Sequence, residues 1–365
     1  MNLREITTVL EDLAPLSLQE SYDNSGLIYG NPDQNIHGAL LTLDCTEEVI
    51  EEAIRLNCNL VIAHHPIVFG GLKKITGCNY VERTVIKAIQ SNVAIYAIHT
   101  NLDNVSHGVN KKMADKLGLM NTSVLQPSEG TLRKLGVFVP TNHADTVRNA
   151  MFKAGAGKIG NYDECSFNLT GTGTFRPLEG SNPFLGELNQ IENVEEVRIE
   201  MVVRRADLSK VLAEMHAAHP YEVVAYDVVA LQNSNSYIGA GMIGELPAPL
   251  EVQEFLNLLK TEFRAPVVRY TSTSHEKISK VAVCGGSGSF LISKALSSGA
   301  QAFVTADVKY HQFFDGEGRL MIADIGHFES EQYTPEILKS YLAEKFPTFA
   351  THFSGVRTNP VQYFY

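Results

Sequence analysis

The 365-residue sequence is poor in cysteine and has no CxxC pair: Cys45, Cys58, Cys78, Cys165 and Cys284 are odd in number and widely scattered. This pattern excludes a disulfide scaffold and a thiolate zinc site. Basic residues are also few. Lys and Arg number 30 against 41 Asp and Glu, a formal net charge of −11, which argues against a general nucleic-acid binder, because phosphate contacts need clustered Lys and Arg. No apolar run approaches the roughly 18 residues needed to cross a bilayer. The opening MNLREITTVLEDL carries Arg4, Glu5, Glu11 and Asp12, charges that a secretory h-region does not tolerate, so the cytoplasm is the expected compartment. Long polar tracts are missing too. With 44% hydrophobic and 19% charged residues, the chain has the composition of a globular protein, and its length favours two domains.

Apolar periodicity then organises the chain. Leu3, Ile6, Val9, Leu10 and Leu13 share one helical face over residues 3–13. HGALLTLDCT (37–46), NLVIAHHP (59–66) and SNVAIYAIHTNLD (91–103) read as buried strands, with helices at 47–57 and through VERTVIKAIQ between them. The scheme returns near the C-terminus in KISKVAVCGGSGS (277–289), AQAFVTADVKYH (300–311) and GRLMIADIGHFESE (318–331). AFVTAD aligns with NLVIAH and MIADIGH with IYAIHTN, as in an internal duplication; alternatively, any two βαβ segments look alike at this level. Alternation of strands and helices predicts a largely parallel α/β sheet, with ligands collecting beyond the carboxyl ends of strands. Residues 126–232 differ, reading β-α-β-β-α-β, the order of a ferredoxin-like α+β unit. The expected arrangement is therefore a discontinuous outer domain, 1–125 plus 233–365, carrying an inserted domain at 126–232.

The polar residues past the strand ends carry the chemistry. His64 and His65 end an apolar strand before Pro66. Adjacent strand residues point to opposite faces, so the pair suits one imidazole for each of two ions; exposed turn histidines are the bland alternative. His327 and Glu331 stand four apart in GHFESE and share a helix face, where the carboxylate's two oxygens can bridge two ions. Glu329 faces away, and a first-turn acid favoured by the helix dipole would explain Glu331 without explaining His327. Asp103 closes HTNLD with a hard anionic oxygen, unless it caps the helix near VNKKMADKLG. His99, Asp307 and His311 also fall at strand ends and are expected to line the same pocket. CGGSGS (284–289) reads as a tight βα turn more readily than as a phosphate loop, and HPYEVVAYD (219–227) as an edge strand. No Ser-His-Asp or cysteine-nucleophile signature occurs. The mixed N/O donor set suits zinc first, or Mn, Fe, Co or Ni.

Taken together, YDNSGL (22–27), AHHP (63–66), HTNLD (99–103), CGGSGS, TADVKYH (305–311) and GHFESE (326–331) resemble the Nif3-like family, whose bacterial members carry the name GTP cyclohydrolase I type 2 homologue. The resemblance covers both outer segments, about 240 residues. It implies two divalent metal ions per chain, held by His64, His65, Asp103, His327 and Glu331. In that set Glu331 is the bridge, His65 and Asp103 hold one ion, and His64 and His327 hold the other. It further implies a toroidal homohexamer with the metal sites facing an internal cavity, and a middle domain similar to PII and CutA proteins at 126–232. Tyr22 stands where many members have Trp, and Ala306 where Gly is frequent. Two functional classes follow: a hydrolase that uses a metal-activated water on a nucleotide or other phosphate compound, or a non-enzymatic metal-responsive regulator or scaffold.

Overall fold

The structure, a computed structural model, describes residues 1–364. Helix α1 (Leu3–Leu13) starts on a reciprocal cap. Asn2 Oδ1 accepts from the Glu5 amide at 2.9 Å, and Glu5 Oε2 accepts from the Asn2 amide at 2.8 Å. Its Leu3, Ile6, Leu10 and Leu13 form one buried face. There follow β1 (Gly26–Tyr29), β2 (Gly38–Thr42), α2 (Glu47–Arg55), β3 (Leu60–Ala63), α3 (Tyr80–Gln90), β4 (Ala94–Ala97), α4 (Thr100–Asp103), α5 (Val109–Lys116) and β5 (Met120–Ser128). Next come β6 (Leu132–Pro140), α6 (Ala144–Lys153), β7 (Phe167–Phe175), β8 (Glu192–Arg204), α7 (Leu208–Ala218) and β9 (Tyr226–Ala230). The chain then forms β10 (Asn235–Glu251), α8 (Val252–Glu262), β11 (Arg269–Tyr270), β12 (Lys277–Ser287), α9 (Ile292–Ser297), β13 (Ala302–Ala306) and β14 (Met321–Asp324). It ends with α10 (His327–Glu331), α11 (Thr334–Lys345) and β15 (Ala350–Phe353).

The chain divides into two compact units: Met1–Pro127 together with Ser236–Tyr365, and Ser128–Asn235. In the second unit four antiparallel strands lie in the order β7-β8-β6-β9. Leu135, Val137, Ile199, Met201 and Val203 alternate onto one face of that sheet and bury against Val147, Met151, Val211 and Met215 of α6 and α7. β9 occupies a sheet edge and takes in the end of HPYEVVAYD. His219 makes structural bonds there, its Nε2 donating to the Phe138 carbonyl at 2.9 Å and its Nδ1 accepting from the Tyr221 amide at 3.1 Å.

The first unit holds two sheets, ordered β1-β4-β3-β2-β15 and β11-β14-β13-β12-β10-β5. Every residue of β2, β3, β4, β13 and β14 is buried, as unbroken apolar runs in a parallel sheet covered on both faces must be. The two sheets repeat one pattern. β2, β3 and β4 run parallel with β1 antiparallel against β4, and β12, β13 and β14 run parallel with β11 antiparallel against β14. α1 precedes the first set as α8 precedes the second. The aligned motifs thus occupy matching strands: NLVIAH corresponds to β3 and AFVTAD to β13. Two features differ from the sequence reading. β10 is a 17-residue strand that the turn-like QNSNS did not announce, and the third strand of each set is short, giving way at once to α4 or α10. Among the described residues no helix is long and apolar enough to cross a membrane.

Candidate metal centre

The five expected donors come together where the carboxyl ends of the two parallel sets meet. β3 stops at Ala63, so His64 and His65 lie just past the strand, and both rings turn into one cleft with centroids 4.9 Å apart. The opposite-face expectation for the pair fails for this reason. α10 begins on Gly326, whose φ of +93° would strain any L side chain, and carries His327 and Glu331 on one face. Asp103 ends α4. The helix beyond it, α5, has Gly108 at its N-cap, so the capping role considered for Asp103 does not apply.

Glu331 is the hub. Its Oε2 lies 2.9 Å from His65 Nε2, 3.1 Å from His327 Nε2 and 3.8 Å from His64 Nε2. His64 Nε2 is also 3.7 Å from Asp103 Oδ1. Three overlapping groups of donor atoms, each mutually within 4.8 Å, result: His64, Asp103 and Glu331; His65, His327 and Glu331; and His64, His65 and His99. The grouping of His64 with Asp103 and of His65 with His327 is the reverse of the pairing that the family resemblance implied. Glu329, buried, accepts from Asn359 Nδ2 at 3.1 Å; it belongs to none of the three donor groups but lines the cleft beside them.

Each imidazole is oriented from behind. His64 Nδ1 donates to the Ile98 carbonyl at 2.8 Å, His65 Nδ1 to Asp44 at 2.7 Å and His327 Nδ1 to Asp307 at 2.6 Å. An oxygen on Nδ1 leaves the Nε2 lone pair for the cleft, the arrangement that fixes metal-ligating histidines. Asp44 is held in turn by the Thr358 hydroxyl, and Asp307 by the Ser287 hydroxyl. Sequence reasoning placed Asp307 at the pocket but missed Asp44, which looks like part of a helix start in LDCT; its position past β2 was the available signal. His99 reaches the cluster, with its ring 5.3 Å from those of both His64 and His65. His311 does not: it is exposed, beside Tyr310.

Two buried atoms here lack a hydrogen-bond partner among the described residues, His64 Nε2 and Asp103 Oδ1. Their 3.7 Å separation is too long for a hydrogen bond and close to the roughly 3.4 Å expected of two ligands with bonds of about 2.1 Å to one tetrahedral ion. The electrostatics agree. Burial, then the Glu331 charge, push the Asp103 carboxyl up to about 8; its side chain keeps some exposure, but Oδ1 itself is sealed. Burial would raise Glu331 as well, yet His327 and the other imidazoles hold it well below the carboxylate range. Burial would lower His65 and His327, but Asp44 and Glu331 push His65 up to about 9, and Glu331 and Asp307 push His327 up to about 11. Protons on these rings therefore stand where a cation's charge would sit. The residues fit divalent metal.

The glycine loop makes room for the hub. A Cβ on Gly286, at φ +58°, would stand 2.5 Å from Glu331 Oε1. The loop amides are already committed: Gly285 to Asn110 Oδ1, Gly286 to Ser330 Oγ and Gly288 to Thr305 Oγ1. CGGSGS is thus a packing turn rather than a phosphate cradle. A cleft of about 460 Å³ opens beside the cluster, lined by Asp44, His65, Asp307, His327, Arg269 and Tyr363 among others.

An α/β unit with two repeated parallel sets and an imidazole–carboxylate cluster between them defines a class of candidate metal proteins. Comparison with known proteins gives the family. The model of the Duf34/NIF3 family (NGG1p interacting factor 3) matches residues 1–360, and the chain belongs to that family. A Halalkalibacterium halodurans protein named GTP cyclohydrolase 1 type 2 homolog is 42% identical over 365 residues, covering 98% of each chain. A Staphylococcus epidermidis protein of the same name is 35% identical over the full length of both. The crystal structure of a Bacillus cereus protein related to NIF3 superposes with a TM-score of 0.87 at 38% identity, covering 100% of this chain and 99% of that one. The resemblance read from the six motifs is borne out.

Proposed function

We propose that this protein holds two divalent ions and acts as a hydrolase on a nucleotide or other phosphate compound. His64 and Asp103 serve one ion, His65 and His327 the other, and Glu331 bridges them. The observation that carries the reading is the set of Nε2 lone pairs and the unpartnered Asp103 Oδ1 converging around the buried Glu331 carboxylate. Bound divalent ions would acidify a water and polarise an electrophile. The chain's own part is to hold the three imidazoles in one tautomer through Ile98, Asp44 and Asp307, and to keep Glu331 ionised in a buried place. The cleft beside His65 and His327 admits a small molecule. The name shared by the relatives, GTP cyclohydrolase 1 type 2 homolog, supports a nucleotide as the first substrate to try. Zinc leads the candidate metals, because the donors are imidazole and carboxylate without thiolate.

The same proposal extends to architecture. Residues 126–232 are an inserted domain of PII/CutA-like kind, a reading supported by the order β-α-β-β-α-β and the β7-β8-β6-β9 sheet, the order of a ferredoxin-like unit. Family membership supports a cytoplasmic toroidal homohexamer, roughly six times the 40.1 kDa chain. Light scattering that gave a monomer at every concentration would refute the ring.

The functional test is metal content by mass spectrometry, together with a turnover screen of nucleotides and phosphoesters on the same purified protein. About two ions per chain and a product lost in Glu331→Ala are expected. Two ions without turnover would leave the metal-responsive regulator or scaffold as the reading, and a chain that takes up no metal would overturn both.

A further inference from the structure

His99 belongs to neither group that contains Glu331, yet it is built like a ligand. Its Nδ1 donates to Asp23 at 2.7 Å. The Asp23 side chain is fully buried and accepts from the Asn24 amide at 2.7 Å and the Thr100 amide at 3.1 Å. The Asn24 side chain in turn donates to the Val68 carbonyl at 2.6 Å, tying this segment to the chain just past the His64–His65 pair. Burying a carboxylate is costly unless it is fully bonded, and a ring that only packs does not require one. What the dyad achieves is a fixed tautomer, with Nε2 left to give a lone pair. The same device stands behind His64, His65 and His327, and the donor atoms of His64, His65 and His99 lie within 4.8 Å of one another.

We propose that His64, His65 and His99 form an all-nitrogen cation position that overlaps the dinuclear pair, so that the centre has two mutually exclusive loading modes. Exclusivity follows from lone-pair counting. His64 and His65 each have one nitrogen to give, so a cation on the three imidazoles withdraws His64 from Asp103 and Glu331, and His65 from His327 and Glu331. The modes differ in chemistry. Three neutral imidazoles suit Cu(II), Zn(II) or Ni(II), whereas Mn(II) favours the carboxylate-bearing groups. This inference rests on the reading that the cleft binds divalent ions, but not on its binding two.

The test uses the full-length protein with one equivalent of Cu(II), counting imidazole nitrogens by pulsed EPR, and a parallel Mn(II) titration. Three coupled imidazoles are expected in the unaltered protein and two in His99→Asn, with Cu(II) bound about tenfold or more weakly and Mn(II) affinity unchanged. Asp23→Asn, which keeps the ring but loosens its orientation, should weaken Cu(II) by a smaller factor. Two imidazoles in the unaltered protein, or equal counts and affinities in His99→Asn, would overturn the proposal. Because the unaltered protein's count decides on its own, a variant that fails to fold does not shield it. Glu331→Ala separates the two readings. It should lose Mn(II) while keeping the three-imidazole Cu(II) signal; retained Mn(II) binding would sink the dinuclear reading alone, and loss of the three-imidazole signal would sink this one.

Discussion

The two halves of the first unit share a strand plan but not a chemistry. Past β3 and β4 the N-terminal half places His64, His65, His99 and Asp103, three imidazoles and a carboxyl pushed toward neutrality. Past β13 the C-terminal half offers Asp307, which holds His327. Its weight lies past β14, where α10 brings His327 and the ionised hub Glu331. One half supplies most of the lone pairs and the other the fixed negative charge. Repetition of a scaffold therefore does not repeat a site. The cluster exists only where two unlike sets of strand ends face each other, and neither set alone offers a bridging carboxylate with imidazoles on both sides.

The severest way to break that division is Glu331→Ala. If Glu331 bridges two ions as proposed, both would lose a ligand, so metal content by mass spectrometry should fall by more than for any single histidine change, from about two equivalents to well under one. Near-full occupancy would show that the halves do not depend on a common carboxylate. The division is sharpened next by comparing the two orienting acids. Asp44→Ala frees His65 in one half and Asp307→Ala frees His327 in the other, each expected to cost about 10–100-fold in metal affinity. Asp44 is the more sheltered, with 32% against 49% of its side chain exposed, so its loss should be the larger in a calorimetric titration. The reverse order would mean that His327, and with it the C-terminal half, dominates retention. A smaller effect is expected of Gly286→Ala. The left-handed backbone costs of order 1–3 kcal/mol, and the new methyl group crowds Glu331 Oε1. Thermal melts should show the destabilisation, and metal affinity should drop while the isolated helical signal stays. A variant as stable and as tightly loaded as the parent would refute the fit between the loop and the hub.

Least of all should follow from replacing residues 126–232 by a short Gly/Ser linker. All five proposed ligands lie outside that stretch, and loop closure grows only logarithmically in cost. The shortened chain should fold and bind about two metals. Aggregation, or purification without metal when the intact chain is loaded, would tie the centre to the middle segment after all.

Much of this was legible because strand ends announce themselves. The buried runs at β3, β4 and β14 are apolar up to the residue where polarity begins, and the i, i+4 spacing of His327 and Glu331 placed both on one helix face. Two things were not legible. The pairing of imidazoles with carboxylates depends on how residues 64 and 65 turn after Ala63, and no pattern of side-chain types encodes a bend's direction. The orienting acids Asp23 and Asp44 lie in short polar stretches that serve as well for turns and caps, so their partners become visible only in three dimensions. β10 was hidden for a related reason: its Gly239, Gly241 and Gly244 look like loop residues, whereas all three sit against neighbouring backbone, Gly239 by Gln126 and Pro127, Gly241 by Val283 and Gly244 by Met120.

The contact between His65 and Glu331 joins residues 266 positions apart. At the usual synthesis rates of about 5–20 residues per second, the hub emerges roughly 13–50 s after the histidines it serves. During that interval the growing chain displays His64, His65 and Asp103 without Glu331, and any cation they capture is held without that carboxylate. A bridge through Glu331, as proposed above, is therefore open to the chain only once the C-terminal half has been made.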